Sequence, residues 1–193
     1  MESHGCLTNR EREGHLGDER DLISALQAGR EEAFEALVKK HQSEVYYLML
    51  GMLRNHGDAD EVTQKTFINV FRKIKGFRGD SSLRTWIMRI AMNLAKNHIR
   101  DRGRRPVQPV DELQADPGPD AQEMLEDYSM RMRMKEAISM LPDAQREVVT
   151  LRTAQSLSFS EIAEIVGSSP GTARVNFHHA VKRLRRMLAT EEA

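Results

Sequence analysis

Between residues 106 and 127 the chain carries four of its six prolines (Pro106, Pro109, Pro117, Pro119), seven acidic groups and no basic one. Proline fixes φ and removes a backbone donor, and unscreened like charges repel, so such a stretch extends rather than packs. It divides the 193 residues into two short units, near 20–105 and 128–189, joined by a flexible acidic linker. Units of that length build only small cores. A composition of 39% hydrophobic, 30% charged and 5% aromatic residues suits small helical units better than one large sandwich or barrel. No apolar run approaches the ~18 residues of a membrane span, and residues 1–17 hold no apolar signal segment. The single cysteine, Cys6, excludes an intrachain disulfide framework and points to a reducing, cytoplasmic setting. Residues 1–18 read as a disordered tail.

No internal repeat and no period-2 alternation is present, so both units read as helical. In the first, Phe34, Leu37, Val38, His41, Val45, Leu48, Met49 and Met52 recur at helical spacing. A second helix follows the turn cluster Asn55-His56-Gly57. Asp58 is its expected cap with Glu61 three residues on, and Phe67, Val70, Phe71 and Ile74 are its expected core stripe. A third helix is predicted from Ser81-Ser82 to Arg102. In the second unit, helices are predicted over 121–140, 143–153, 158–166 and 170–188.

The net charge is zero, but the charges are segregated. Residues 1–32 carry −4, 72–105 carry +9, 106–127 carry −7 and 171–189 carry +5. Two basic blocks flanking an acidic bridge suit two contacts with a polyanion, although a basic block alone is often just a solvated face.

Two helical segments sharpen that reading. Leu157, Ile162, Ala163 and Val166 give a short helix an apolar face, and Gly167 stops it. Ser169 can cap the next helix and Pro170 suits its first position. Ala173, Phe177, Ala180, Val181, Leu184 and Leu188 form the inner stripe of that helix, and Gly171, Arg174, Val175, His178, Lys182 and Arg185 lie opposite. A glycine turn followed by a basic exposed face is helix-turn-helix logic, with the second helix in a major groove. In the other segment, Leu83, Ile87, Ile90, Ala91 and Leu94 form a buried stripe. Arg89, Asn93, Lys96, Asn97 and Arg100 share another face, and Trp86 sits between the two. Cations and amides beside one aromatic can hold phosphates and stack an unpaired base.

Catalytic patterns are missing. The seven histidines are scattered, no Cys/His or carboxylate/His set has metal-ligand spacing, and neither a Gly-rich phosphate loop nor a nucleophile elbow occurs. No catalytic residue, metal or cofactor is expected. Met130 and Met134 share a helical face, open to either core filling or an adaptable partner surface.

Four stretches, in order, resemble the extracytoplasmic-function (ECF) sigma factors of bacterial RNA polymerase. Asp58-Ala59-Asp60-Glu61-Val62-Thr63-Gln64-Lys65-Thr66-Phe67 resembles that family's polymerase-binding helix. Phe77-Arg78-Gly79-Asp80-Ser81-Ser82-Leu83-Arg84-Thr85-Trp86, with Ala91-Met92-Asn93 and Arg104-Arg105, resembles the strip that melts and reads the −10 element. Leu141-Pro142-Asp143-Ala144-Gln145-Arg146-Glu147-Val148-Val149 resembles the start of the second conserved domain. Leu157-Ser158-Phe159-Ser160-Glu161-Ile162-Ala163, with Gly171-Thr172-Ala173-Arg174-Val175, resembles the −35 helix-turn-helix.

The resemblance implies an all-α chain of two small helical domains. Residues 19–105 are the region 2-like domain, 106–127 the acidic linker, and 128–189 the region 4-like helix-turn-helix domain. It implies core-polymerase contacts at Asp58, Asp60, Glu61, Gln64 and Phe67. The −10 contacts it implies are Arg78, Ser81, Ser82, Arg84, Trp86, Arg89, Asn93, Lys96, Asn97 and Arg100. Those to the −35 element are Ser169, Gly171, Thr172, Arg174, Val175, His178, His179, Lys182 and Arg185. Its implied partners are the polymerase core (clamp and flap), promoter DNA and an anti-sigma factor, with no direct membrane insertion. It implies a cytoplasmic protein, held at the membrane where the anti-sigma factor is anchored there. A free-standing helix-turn-helix regulator is the alternative, and it leaves the 58–105 motifs unused.

Overall fold

The computed structural model describes residues 19–102, 130 and 133–189. The tail 1–18 with Cys6, the linker 106–127, Arg104, Arg105, Met132 and the beginning of the helix expected over 121–140 lie outside them. All regular structure among the described residues is helical. The first domain contains α1 (19–27), α2 (Glu31–Leu53), α3 (His56–Lys73), a 3-10 turn (Ile74–Gly76) and α4 (Leu83–Arg102). The second contains α5 (described over 133–139), α6 (Asp143–Gln155), α7 (Phe159–Val166) and α8 (Pro170–Ala189).

α2 buries the anticipated stripe of Leu37, His41, Val45, Leu48, Met49 and Met52. It ends where Arg54 turns left-handed at φ 57° and returns its N–H to the Leu50 carbonyl. α3 begins two residues before the sequence expectation. Asn55, not Asp58, is its cap: the Asn55 side chain accepts from the Asp58 N–H at 2.8 Å. The amide sits three residues before that N–H, the spacing a cap needs, and the helix accommodates Gly57 in its first turn. Phe71 departs from the expected core stripe. It is 58% exposed, its ring edge-on to Phe34 at 5.2 Å.

α4 has two caps. Ser82 Oγ accepts from the Thr85 N–H at 3.1 Å, and the Glu19 carboxylate accepts from the Leu83 N–H at 2.8 Å. A carboxylate on the positive end of a helix is electrostatically favoured, and here it ties α1 to α4. Gln27 adds a second tie, donating to the Phe77 carbonyl at 2.9 Å.

The sequence stripe of α4 is only half of what is buried. Met88, Met92 and Ala95 are fully buried together with Leu83, Ile87 and Ala91. The helix is covered from two sides: α2 and α3 pack on it within the first domain, and α7 packs on it from the second. α6 likewise crosses α2. Val148, Leu151, Leu157, Ile162, Ala163, Ile165 and Ala173 therefore join one continuous core with the first domain's Leu37, Leu48, Ile87 and Met92. A separate small cluster of Ala137, Leu141, Val149, Ala180 and Leu184 holds α5, α6 and α8 together.

Candidate nucleic-acid interface

The helix-turn-helix is assembled by local signals. Ser158 and Glu161 form a reciprocal capping box at the start of α7, a Ser-x-x-Glu pattern readable in the sequence. Gly167 ends the helix at φ 75°, where a side chain would be strained, and the Gly167 and Ser168 N–H groups both return to the Ala163 carbonyl at 2.9 Å. Ser169 Oγ accepts from the Thr172 N–H at 3.0 Å, and Pro170 opens α8. The turn is three residues long, so α8 leaves α7 at a fixed angle and buries Ala173, Ala180 and Leu184.

Gly171, Thr172, Arg174, Val175, His178, His179, Lys182 and Arg185 are arrayed along the outer side of α8. Val175 is 53% exposed, an apolar side chain among cations, of the kind that meets a thymine methyl in a groove. Sequence reasoning did not single out Phe159. Its ring lies 5.5 Å from the Arg174 guanidinium and 5.1 Å from that of Arg152, and it meets Phe177 edge-on at 5.7 Å. It is a platform that holds Arg174 at the start of α8.

On α4 the anticipated residues divide. Asn93 and Arg100 are exposed, and Arg100 donates to Asn97 Oδ1 at 3.1 Å. Trp86 is half-buried and stacked at a tilt on Phe77, ring centres 5.0 Å apart. Arg78 and Ser82 are exposed in the loop before α4, and Ser81 is half-buried. The other three cations face groups that the sequence did not mark. Lys96 Nζ lies 3.0 Å from Glu147, and Arg89 lies 3.7 Å from Glu164. Arg84 donates to Glu44 at 3.1 Å and to both the main-chain and side-chain oxygens of Gln155 at 3.0 and 3.1 Å. Glu44 in turn contacts buried His41 at 3.2 Å. Burial alone would raise the Glu44 pKa, but the hydrogen bonds from Arg84 and His41 outweigh it and hold the carboxyl below its usual value. Burial pushes His41 down despite Glu44.

On α3, Asp60, Glu61 and Gln64 are exposed on one side, with Lys65 paired to Glu61 one turn on. Asp58 is instead engaged by Arg102 and by His98, the latter at 3.3 Å. Phe67 belongs to the core at 7% exposure, which corrects its place among the outward contacts: its side chain joins the buried cluster shared by α2, α3 and α4.

Two family models match the chain in sequence order: Sigma-70 region 2 over residues 37–105 and Sigma-70 region 4 over 131–184. The chain is 32% identical over 185 residues to the RNA polymerase sigma-H factor of Pseudomonas aeruginosa, covering 88% of this chain and 93% of that one. The chain belongs to the ECF family of RNA polymerase sigma factors. It is 33% identical over 172 residues to the ECF sigma-E factor of Haemophilus influenzae (82% and 89% covered). To the Escherichia coli K12 sigma-E factor it is 33% identical over 169 residues (82% and 88%). The fold is shared with CnrH, solved in complex with the cytosolic domain of CnrY, at TM-score 0.69 and 22% identity over 89% of this chain and 97% of that one. It is shared too with the Bartonella quintana sigma factor RpoE, solved with the anti-sigma factor NepR, at TM-score 0.65 and 24% identity over 81% and 96%. As an ECF sigma factor, the chain directs RNA polymerase to specific promoters; the regulator alternative fails because region 2 occupies the first domain. Among the described residues no helix is long and apolar enough to cross a membrane.

Proposed function

We propose a division of labour over these helices. Asp60, Glu61 and Gln64 on α3 bind the polymerase clamp, whose basic helices attract exposed carboxylates. The loop from Arg78 to Ser82 with Trp86, Asn93, Asn97 and Arg100 takes the −10 strand, the indole and amides receiving an extruded base. α8 reads the −35 element, Arg174 and Val175 at base edges and Lys182 and Arg185 on phosphates. The domains run over 19–105 and 128–189, and the acidic 106–127 segment passes along the polymerase cleft as a strand of nucleic-acid-like charge. The protein acts in the cytoplasm as a non-enzymatic initiation factor. An anti-sigma factor restrains it, as NepR pairs with the Bartonella sigma factor of the same fold.

One observation carries this reading: a capped three-residue turn launches α8 with its arginine, valine, histidine and lysine on a single open face. The test is promoter opening. Asn93 is exposed, so Asn93→Ala leaves the fold intact. With core polymerase it should keep closed-complex binding but lower permanganate reactivity of unpaired thymines. Unchanged reactivity in the folded variant would remove Asn93 from the −10 surface.

A further inference from the structure

The loop from Arg78 to Ser82 runs between two buried anchors, Phe77 at 7% and Leu83 at 2% exposure. α1 holds the main chain at both. At the entry, the Gln27 side-chain amide donates to the Phe77 carbonyl at 2.9 Å and to the Ile74 carbonyl at 3.3 Å. At the exit, the Glu19 carboxylate accepts from the Leu83 N–H at 2.8 Å. In a capping box the carboxylate comes from the third residue of the helix itself. Here that residue is Thr85, which bonds to Ser82 through both its N–H and its hydroxyl. The carboxylate on α4 comes instead from a residue 64 positions earlier.

α1 is itself fixed in place. Leu26 is 4% exposed, and Leu22 and Ile23 pack against the same core. A helix this short does not persist alone in water, so packing sets where it lies. It precedes the residues 37–105 that match Sigma-70 region 2. Glu19 and Gln27 stand eight residues apart, about 12 Å along the axis at about 1.5 Å per residue. The chain from Phe77 to Leu83 reaches about 20 Å when extended. A chain that long between supports that close has to bow outward. Gly79 permits the bow, with φ at 78°, where a side chain would be strained. Arg78, Gly79 and Asp80 are accordingly exposed, beside the Trp86 ring that rests on Phe77.

We infer that Glu19 and Gln27 are positioning residues for promoter opening: α1 is a splint that fixes the span and bow of the 78–82 loop before DNA arrives, so that an extruded −10 base meets a formed seat. The inference rests on the assignment of that loop to the −10 strand. Both ties go to main-chain atoms at the loop ends, so they set its shape without touching DNA. With the ties removed, Phe77 and Leu83 stay buried, but the peptide groups beside them turn and the seat is formed only part of the time. Affinity for a base that uses the seat falls by that fraction, and binding that does not use it is unchanged.

The experiment uses holoenzyme assembled from the full chain and core polymerase. A randomised pool of single-stranded deoxyoligonucleotides gives the sequence that the parent prefers. Fluorescence anisotropy then compares that strand with a copy made abasic at the most strongly preferred position. Glu19→Ala and Gln27→Ala should each bind the intact strand about three- to tenfold more weakly and leave the abasic strand at the parent's affinity. Glu19→Gln keeps a carbonyl acceptor for the Leu83 N–H and should recover most of the loss. Gln27→Glu offers the two carbonyls a carboxylate in place of a donor and should not. Circular dichroism and a core-binding titration accompany each variant. If Glu19→Ala fails to fold, Gln27→Ala and Gln27→Glu carry the comparison. Equal losses on the intact and abasic strands show a merely structural role and overturn the splint, as does an unchanged affinity in the folded variants. A pool that yields no preferred sequence with the parent strikes the −10 assignment of the loop, and the splint with it. A parent that discriminates beside variants that discriminate equally well strikes the splint alone.

Discussion

Replacing Arg174 by alanine separates base reading from simple charge attraction. The structure places its guanidinium 5.5 Å from the Phe159 ring centre, on the exposed side of the first turns of α8. Two contributions are lost together. The ring contact is worth about 0.5–1 kcal/mol at an exposed site and serves to hold the guanidinium in place before DNA arrives. A bidentate contact to a guanine edge discriminates by about 1–3 kcal/mol. The base contact alone, at roughly 1.4 kcal/mol per tenfold, makes the matched −35 element lose about 5–140-fold in affinity, while a promoter already substituted at the contacted position should lose little. Arg174→Lys keeps the charge and loses the fork, so its salt dependence should stay and its discrimination fall. Phe159→Leu leaves Arg174 present but unsupported, and a loss of about 2–5-fold is expected. The assay is a titration of holoenzyme against duplexes with each −35 position changed in turn, at one fixed salt concentration. If Arg174→Ala loses the same factor on every duplex, scrambled ones included, the residue touches phosphate and the base-reading argument is refuted.

Asp60→Ala with Glu61→Lys should abolish assembly with core polymerase while circular dichroism stays unchanged; both residues are exposed, and losing the Glu61–Lys65 pair while setting two lysines one turn apart costs only about 0.4–1 kcal/mol of helix stability. Normal core affinity in a binding titration would sink the role of that side of α3. Ser158→Ala breaks the capping box of an eight-residue helix and should lower stability by about 0.5–2 kcal/mol in urea unfolding; no change would mean that Glu161 alone holds α7. Acid should weaken the fold in two stages. His41 has a pKa below its ordinary 6.5 and Glu44 below its ordinary 4.5, so the folded chain binds fewer protons at both sites than the unfolded one. Their contributions are present above those values and are lost as pH falls through the folded pKa values, His41 first. Urea midpoints taken at about pH 7.5, 5.5 and 4 should fall in that order, with His41→Gln blunting the upper stage; a midpoint that rises on acidification contradicts the sign.

Much of this molecule was legible in its residues because the signals were local. Gly167 and Pro170 by backbone geometry and Ser169 by its capping hydroxyl bound α7 and α8, and the helix-turn-helix lies within a residue of its expected limits. Periodicity likewise placed Leu37, Val45 and Leu48 inside α2, and Arg174, His178 and Lys182 on the outer side of α8. Both kinds of signal act over a few residues, which is the range in which chain order decides geometry.

What the second domain covers was decided only by the tertiary structure. A helical repeat says which side chains share a face and is silent on how many faces find a partner. Phe71, placed inside by spacing, is 58% exposed although Phe34 meets it edge-on; Met88 and Met92, left out of the stripe expected for α4, are buried because α4 is covered from two sides. Arg84 meets Gln155 across 71 positions of chain, and Lys96 meets Glu147 from the other side of the acidic segment. An ion pair between distant residues leaves no periodic trace. Its partners are chosen by how two finished domains meet, and that is where the charges read along the chain as DNA contacts acquired partners of their own.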